Sequence, residues 1–155
     1  MTMTEPAQSA TVLLVDDEAA MRSAMQQWLQ LAELEVRAFA GADEALGVAD
    51  RDFAGIIVSD VKMPGRSGME LLEEVQGRDA DLPVVLITGH GDVPMAMEAI
   101  RKGAYDFIEK PFAPERFLEV VNRAVEKRLL VLQNRQLRQE LANSDGLDAS
   151  LIGRS

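Results

Sequence analysis

The sequence predicts an α/β fold: a doubly wound, mostly parallel sheet of five strands in the order 2-1-3-4-5, with helices on both faces. Two observations carry this. Short apolar runs bounded by turn residues alternate with longer amphipathic stretches along the 155 residues, and the central runs are nearly continuous in β-branched and aliphatic side chains. Continuous apolar runs suit strands covered on both faces, and a repeated strand–helix order demands parallel pairing through right-handed crossovers.

In chain order, Thr11–Val15 (TVLLV) reads as a buried strand, followed by a helical pattern near 18–32. Glu35–Phe39 (EVRAF) is weaker and suits an outer strand before a helical stretch over 42–50. Ile56–Ser59 (IIVS) and Val84–Thr88 (VVLIT) are buried strands, with helical patterns after them near 67–77 and 93–102. Phe107–Glu109 (FIE) is the second outer strand, and a long helical pattern runs from Pro114 onward. The arrangement is flavodoxin-like, and in such sheets ligands gather beyond the C-terminal strand ends, beside the first strand.

Each central strand delivers polar groups to that rim. Asp16, Asp17 and Glu18 follow the first strand and Asp60 the third; Thr88 and Gly89-His90-Gly91 end the fourth, and Lys110-Pro111 follows the fifth. Singly, these residues are an acidic turn, a loop before Pro64-Gly65, a β-former and a strand end. Together they form a constellation. Asp16, Asp17 and Asp60 repel one another unless a cation sits among them, and all-oxygen ligands suit Mg2+. An aspartate carboxylate also attacks phosphorus to give an acyl phosphate, whose oxygens need positive charge and hydrogen-bond donors. Lys110 and Thr88 supply both.

Composition sets the outer bounds. With 47% hydrophobic and 27% charged residues the chain is an ordinary globular one. No apolar stretch approaches the roughly 18 residues of a membrane span, and residues 1–10 lack the pattern of a secretory signal. The absence of cysteine excludes thiolate chemistry, and the single histidine, His90, excludes a multi-histidine metal site. The expected location is cytoplasmic. Residues 1–125 hold 22 acidic and 11 basic side chains, so DNA would repel the body and direct nucleic-acid binding is not expected.

VLLVDDE, SDVKMPGRSG, TGHGD and GAYDFIEKPF together resemble the receiver domain of two-component response regulators, from about Thr11 to Lys127. The resemblance implies that Asp60 is the phosphoacceptor for a partner histidine kinase. It implies that Asp17, Asp60 and the Lys62 backbone carbonyl ligate Mg2+, with Asp16 acting mostly through a metal-bound water. Thr88 would bond the phosphoryl group and Lys110 would pair with it, held by a cis Lys110–Pro111 bond. Phe107 occupies the switch position where many members have Tyr; it fills space but lacks the hydroxyl. His90 and Lys62 would border the water path to the acyl phosphate, tuning its lifetime; a solvated loop histidine is the other reading. Met63, Met69, Met95 and Met97 read as packing and loop residues, and Trp28 as packing on the first helix.

The last helical pattern outruns the sheet. Leu118, Val121 and Val125 are expected to face the body; Leu130, Asn134, Leu137 and Leu141 then follow at 4-3-4 spacing. That is a short coiled-coil seam for a parallel homodimer, with Asn134 setting register. A solvated helix tail is the plainer alternative. The expected division is an unstructured N-terminus over 1–10, a receiver over 11–127, a linker helix over 128–143, and the start of a truncated downstream domain over 144–155. The closing LIGRS resembles the start of the AAA+ domain of sigma-54 activators, and TGHGD, GAYDFIEKPF and EKRLLVLQNRQLR resemble the dicarboxylate-transport regulators in that group. The chain would thus regulate rather than catalyse. Two rivals are a phosphate-independent dimerisation module and a haloacid-dehalogenase-type phosphatase. The phosphatase wants a second aspartate two positions after the first, where this chain has Lys62.

Overall fold

The structure, a computed structural model, describes residues 10–152, with side chains described through residue 143. Five parallel strands, β1 (Thr11–Val15), β2 (Glu35–Phe39), β3 (Gly55–Asp60), β4 (Val84–Thr88) and β5 (Asp106–Glu109), pair in the order β2-β1-β3-β4-β5. Five helices alternate with them: α1 (Ala19–Leu31), α2 (Ala42–Leu46), α3 (Gly68–Arg78), α4 (Val93–Arg101) and α5 (Pro114–Ile152). The expected unstructured N-terminus lies outside the described residues except for Ala10, which is buried.

The continuous apolar strands have the predicted cause. Alternate residues of each central strand enter opposite cores. Leu13, Val15, Ile57 and Leu86 meet Leu46 of α2, Leu72 and Val75 of α3 and Ala99 of α4. Val12, Leu14, Ile56, Val58 and Ile87 meet Met25 and Leu29 of α1 and Phe117, Val121 and Ala124 of α5. Burying a Leu, Ile or Val side chain contributes about 1.5–3 kcal/mol. Trp28 does more than pack on its own helix: its ring centroid lies 5.6 Å from Phe117 of α5 and 6.1 Å from Phe112 in the loop before that helix.

Several boundaries differ from the sequence reading. Asp60 is the last residue of β3, and β5 begins at Asp106. Helix α2 stops at Leu46 instead of residue 50, with Gly47 at its C-terminus. The Arg78 guanidinium donates to the carbonyls of Leu46 and Ala49, giving acceptors there a partner outside the helix. Helix α5 runs on through 127, as the sequence pattern from Pro114 onward predicts, and also continues past 143 to Ile152. Val121 and Val125 are buried against the body as expected, while Leu118 is half-buried at the margin. Met63, Met69 and Met95 pack at the other core's margin, but Met97 is exposed on α4.

Candidate functional site

Parallel pairing places all strand C-termini on one rim. In register, Val15 lies beside Ser59, Asp60 beside Ile87, and Thr88 beside Glu109. The residues that follow these ends therefore converge. Carboxylate oxygens of Asp16, Asp17 and Asp60 come within 4.8 Å of one another. The Lys110 ammonium lies 3.3 Å from Asp60 Oδ2, and the Lys62 N–H donates to Asp60 Oδ1 at 3.2 Å. Lys110–Pro111 is cis.

Asp16 is fixed at both ends. Its N–H donates to the Phe39 carbonyl at 3.1 Å, and its own carbonyl accepts from Arg22 at 2.7 Å. Its Oδ1 accepts the Glu18 N–H at 2.9 Å, while Oδ2 is buried with no partner. Burial pushes the Asp16 carboxyl above the ordinary range; the Glu18 N–H opposes this, Asp60 adds to it, Lys110 opposes it and Asp17 adds to it. A buried carboxylate oxygen without a donor, beside two more carboxylates, is a donor set for a hard divalent cation. The residues fit Mg2+.

Thr88 is only 1% exposed and its hydroxyl also lacks a partner. A buried hydroxyl without a hydrogen bond is costly, so this donor is available to an incoming acceptor. Phe107 is half-buried and lines a shallow cleft of about 320 Å³ with Glu109, Phe112 and Arg116. His90 is exposed and does have a neighbour: its Nδ1 lies 4.0 Å from Glu109 Oε2, which also accepts the Gly91 N–H. Glu109 thereby ties the loop after β4 to the end of β5.

The loop after Asp60 has its own requirements. Gly65 turns at φ 75°, a conformation that favours glycine. Ser67 caps α3 in a reciprocal capping box with Glu70. A Cβ at Gly68 would lie 2.5 Å from the Asp60 carbonyl oxygen, so only glycine lets α3 start this close to the site.

The described seam residues sit apart from this rim. Leu130, Leu137 and Leu141 are 61%, 52% and 63% exposed, and Asn134 is exposed between them. Arg128 and Arg135, a heptad apart on another face of α5, escaped the sequence reading. They bind Asp79 at the opposite end of the sheet, with Arg128 Nη2 2.8 Å from Oδ2 and Arg135 Nη2 2.7 Å from Oδ1. Helix α5 thus stays on the body beyond residue 127. No helix among the described residues is long and apolar enough to cross a membrane.

Fold and rim together define a doubly wound α/β domain with an acidic pocket at its switch point, the architecture of a regulatory domain. The chain belongs to the response regulator receiver domain family, which it matches over residues 12–122. It is 51% identical over 146 residues to the C4-dicarboxylate transport transcriptional regulatory protein DctD of Rhizobium meliloti, covering 94% of this chain and 31% of that protein. The DctD protein of Pseudomonas aeruginosa is 52% identical over 144 residues, covering 93% and 31%. Among solved structures it resembles NtrX from Brucella abortus, with a TM-score of 0.73 and 39% identity over 84% of this chain and 30% of that one. The chain spans about a third of the length of the curated relatives named here.

Proposed function

We propose that this receiver domain accepts a phosphoryl group on Asp60 from a partner histidine kinase. One observation carries the reading: Asp60, its Lys110 counter-ion at 3.3 Å and the clustered carboxylates of Asp16 and Asp17 meet at one strand-end pocket. A carboxylate oxygen of Asp60 attacks phosphorus; the new O–P bond forms as the donor's P–N bond breaks, and the electron pair leaves with the kinase imidazole. Asp16, Asp17, Asp60 and the Lys62 carbonyl would hold Mg2+, which neutralises charge on the phosphoryl oxygens. Lys110 shifts from the free carboxylate to a phosphoryl oxygen, and the unpartnered Thr88 hydroxyl donates to another. Thr88 turns inward toward the phosphoryl group in doing so, and filling the space it vacates is the role we assign to Phe107, by packing alone.

In this reading the division is a receiver over 11–127, a linker helix over 128–143 and, from 144, the start of a downstream AAA+ domain. Exposed Leu130, Leu137 and Leu141 with Asn134 form the seam of a cytoplasmic homodimer. Phosphorylation changes that dimer and so controls a sigma-54-activating ATPase in the full-length protein, in transcription linked to dicarboxylate transport as the DctD names suggest. In this reading the receiver itself is neither an enzyme nor a nucleic-acid binder.

Intact-mass spectrometry after incubation with acetyl phosphate tests this directly. One added phosphoryl group that requires Mg2+ and disappears in Asp60→Asn is the expected result. Absence of an adduct, where a control receiver labels and hydrolysis is shown to be slow, would leave the exposed leucine seam and a dimerisation-only role.

A further inference from the structure

Asp79 caps the C-terminus of α3, at the end of the sheet opposite the acidic rim. Its side chain is only 1% exposed, yet its two oxygens accept five hydrogen bonds. Arg128 Nη2 donates to Oδ2 at 2.8 Å, Arg135 to both oxygens at 3.0 and 2.7 Å, and the Asp81 and Asp52 N–H groups at 3.1 and 3.4 Å. Arg128 Nε also donates to the Phe53 carbonyl at 2.9 Å. Arg135 extends the cluster to the carboxylates of Asp52 at 2.6 Å and Asp81 at 3.3 Å. Two loops of the body, before β3 and before β4, thereby grip α5 at two points seven residues apart.

Burying charge here serves geometry more than stability. Arg128 is fully buried and its Nη1 has no partner. Desolvation of a buried ion pair offsets much of its attraction, whereas fixed donors and acceptors tolerate only one arrangement. The gripped face is also distinct from the seam. Arg128 and Arg135 share one heptad position, while Leu130, Asn134, Leu137 and Leu141 occupy the two apolar ones and stay exposed.

We propose that the Asp79–Arg128–Arg135 cluster is a docking surface for the chain's own helix, making α5 beyond residue 127 a rigid extension of the receiver body. Any displacement of the body is then delivered to the leucine seam instead of being absorbed in a flexible tether. Asp79 and Arg135 are positioning residues, and this role does not depend on phosphoryl transfer to Asp60.

Because the chain has no cysteine, two introduced ones, Glu44→Cys on α2 and Ala142→Cys on α5, carry spin labels without background. Labelled protein is diluted with excess unlabelled chain so that only distances within one chain register. The wild-type background should give one narrow distance peak. Asp79→Asn and Arg135→Met should each replace it with a broad distribution while circular dichroism stays helical. Should Asp79→Asn fail to fold, the more exposed Arg135→Met decides. A broad wild-type distribution, or a narrow peak kept in folded Arg135→Met, overturns the proposal.

Discussion

Lys110 and Asp60 lie fifty residues apart in the chain, yet the ammonium stands 3.3 Å from the carboxylate. Asp60 closes β3 and Lys110 follows β5, with β4 between them, so parallel pairing alone brings both side chains to one rim. The contact occupies Asp60 Oδ2, while Lys62 N–H bonds Oδ1. A group arriving on either oxygen must therefore rearrange a bond already made.

Lys110→Ala separates acceptance from response. Asp60 keeps its position and its neighbouring acids, so the variant still gains one phosphoryl group by mass. Without the ammonium to follow the new charge, the phosphate-induced shift in sedimentation is lost. A shift equal to wild type would remove Lys110 from the response.

Asp16→Asn has opposite effects with and without metal. In metal-free buffer it removes a buried carboxylate held among like charges, so Tm rises by a few degrees. Added Mg2+ then raises the variant's Tm less than it raises that of wild type, because a charged ligand is gone. Calorimetry in EDTA and in Mg2+ reads both.

Thr88→Val tests the unpartnered hydroxyl. Replacing a buried, unsatisfied O–H by a methyl of similar shape should stabilise the resting domain by about 1 kcal/mol in denaturant unfolding. The same change removes a donor for the phosphoryl group, so the phosphorylated variant should show a weakened sedimentation shift.

The Asp79 cluster sets an acid dependence. Burial alone would raise the Asp79 carboxyl, but hydrogen bonds from Arg135 and Arg128 hold it well below the usual carboxylate range. A depressed folded-state pKa contributes stability that is full above the unfolded value of about 3.9 and is lost as pH falls through the folded value. Wild type should therefore exceed Asp79→Asn in stability at pH 7, by roughly 1–3 kcal/mol, and the gap should narrow below about pH 4. Chemical denaturation across that range measures it.

Much of this was legible because it is local. TVLLV, IIVS and VVLIT mark strands buried on both faces, and their order alone brings Asp16, Asp17, Asp60, Thr88 and Lys110 to one rim. Three features were not. Asp79 meets Arg128 and Arg135 across 49 and 56 residues, and an ion pair between separate elements has no periodicity to betray it. The need for glycine at 68 arises from the Asp60 backbone, not from its own turn. Helix α2 ends at Leu46, whose carbonyl accepts from Arg78, a partner far along the chain.

The strand order also governs how the chain is assembled. Strand β1 is the first element among the described residues, yet it lies inside the sheet, flanked by β2 and by β3, whose Gly55 pairs with Thr11. During synthesis its second edge stays open until β3 has emerged. TVLLV is thus an apolar segment that must wait, uncovered, for partners still to be made, and such a stretch is a template for wrong pairing. Substitutions that delay β3 should harm yield before they harm the finished fold.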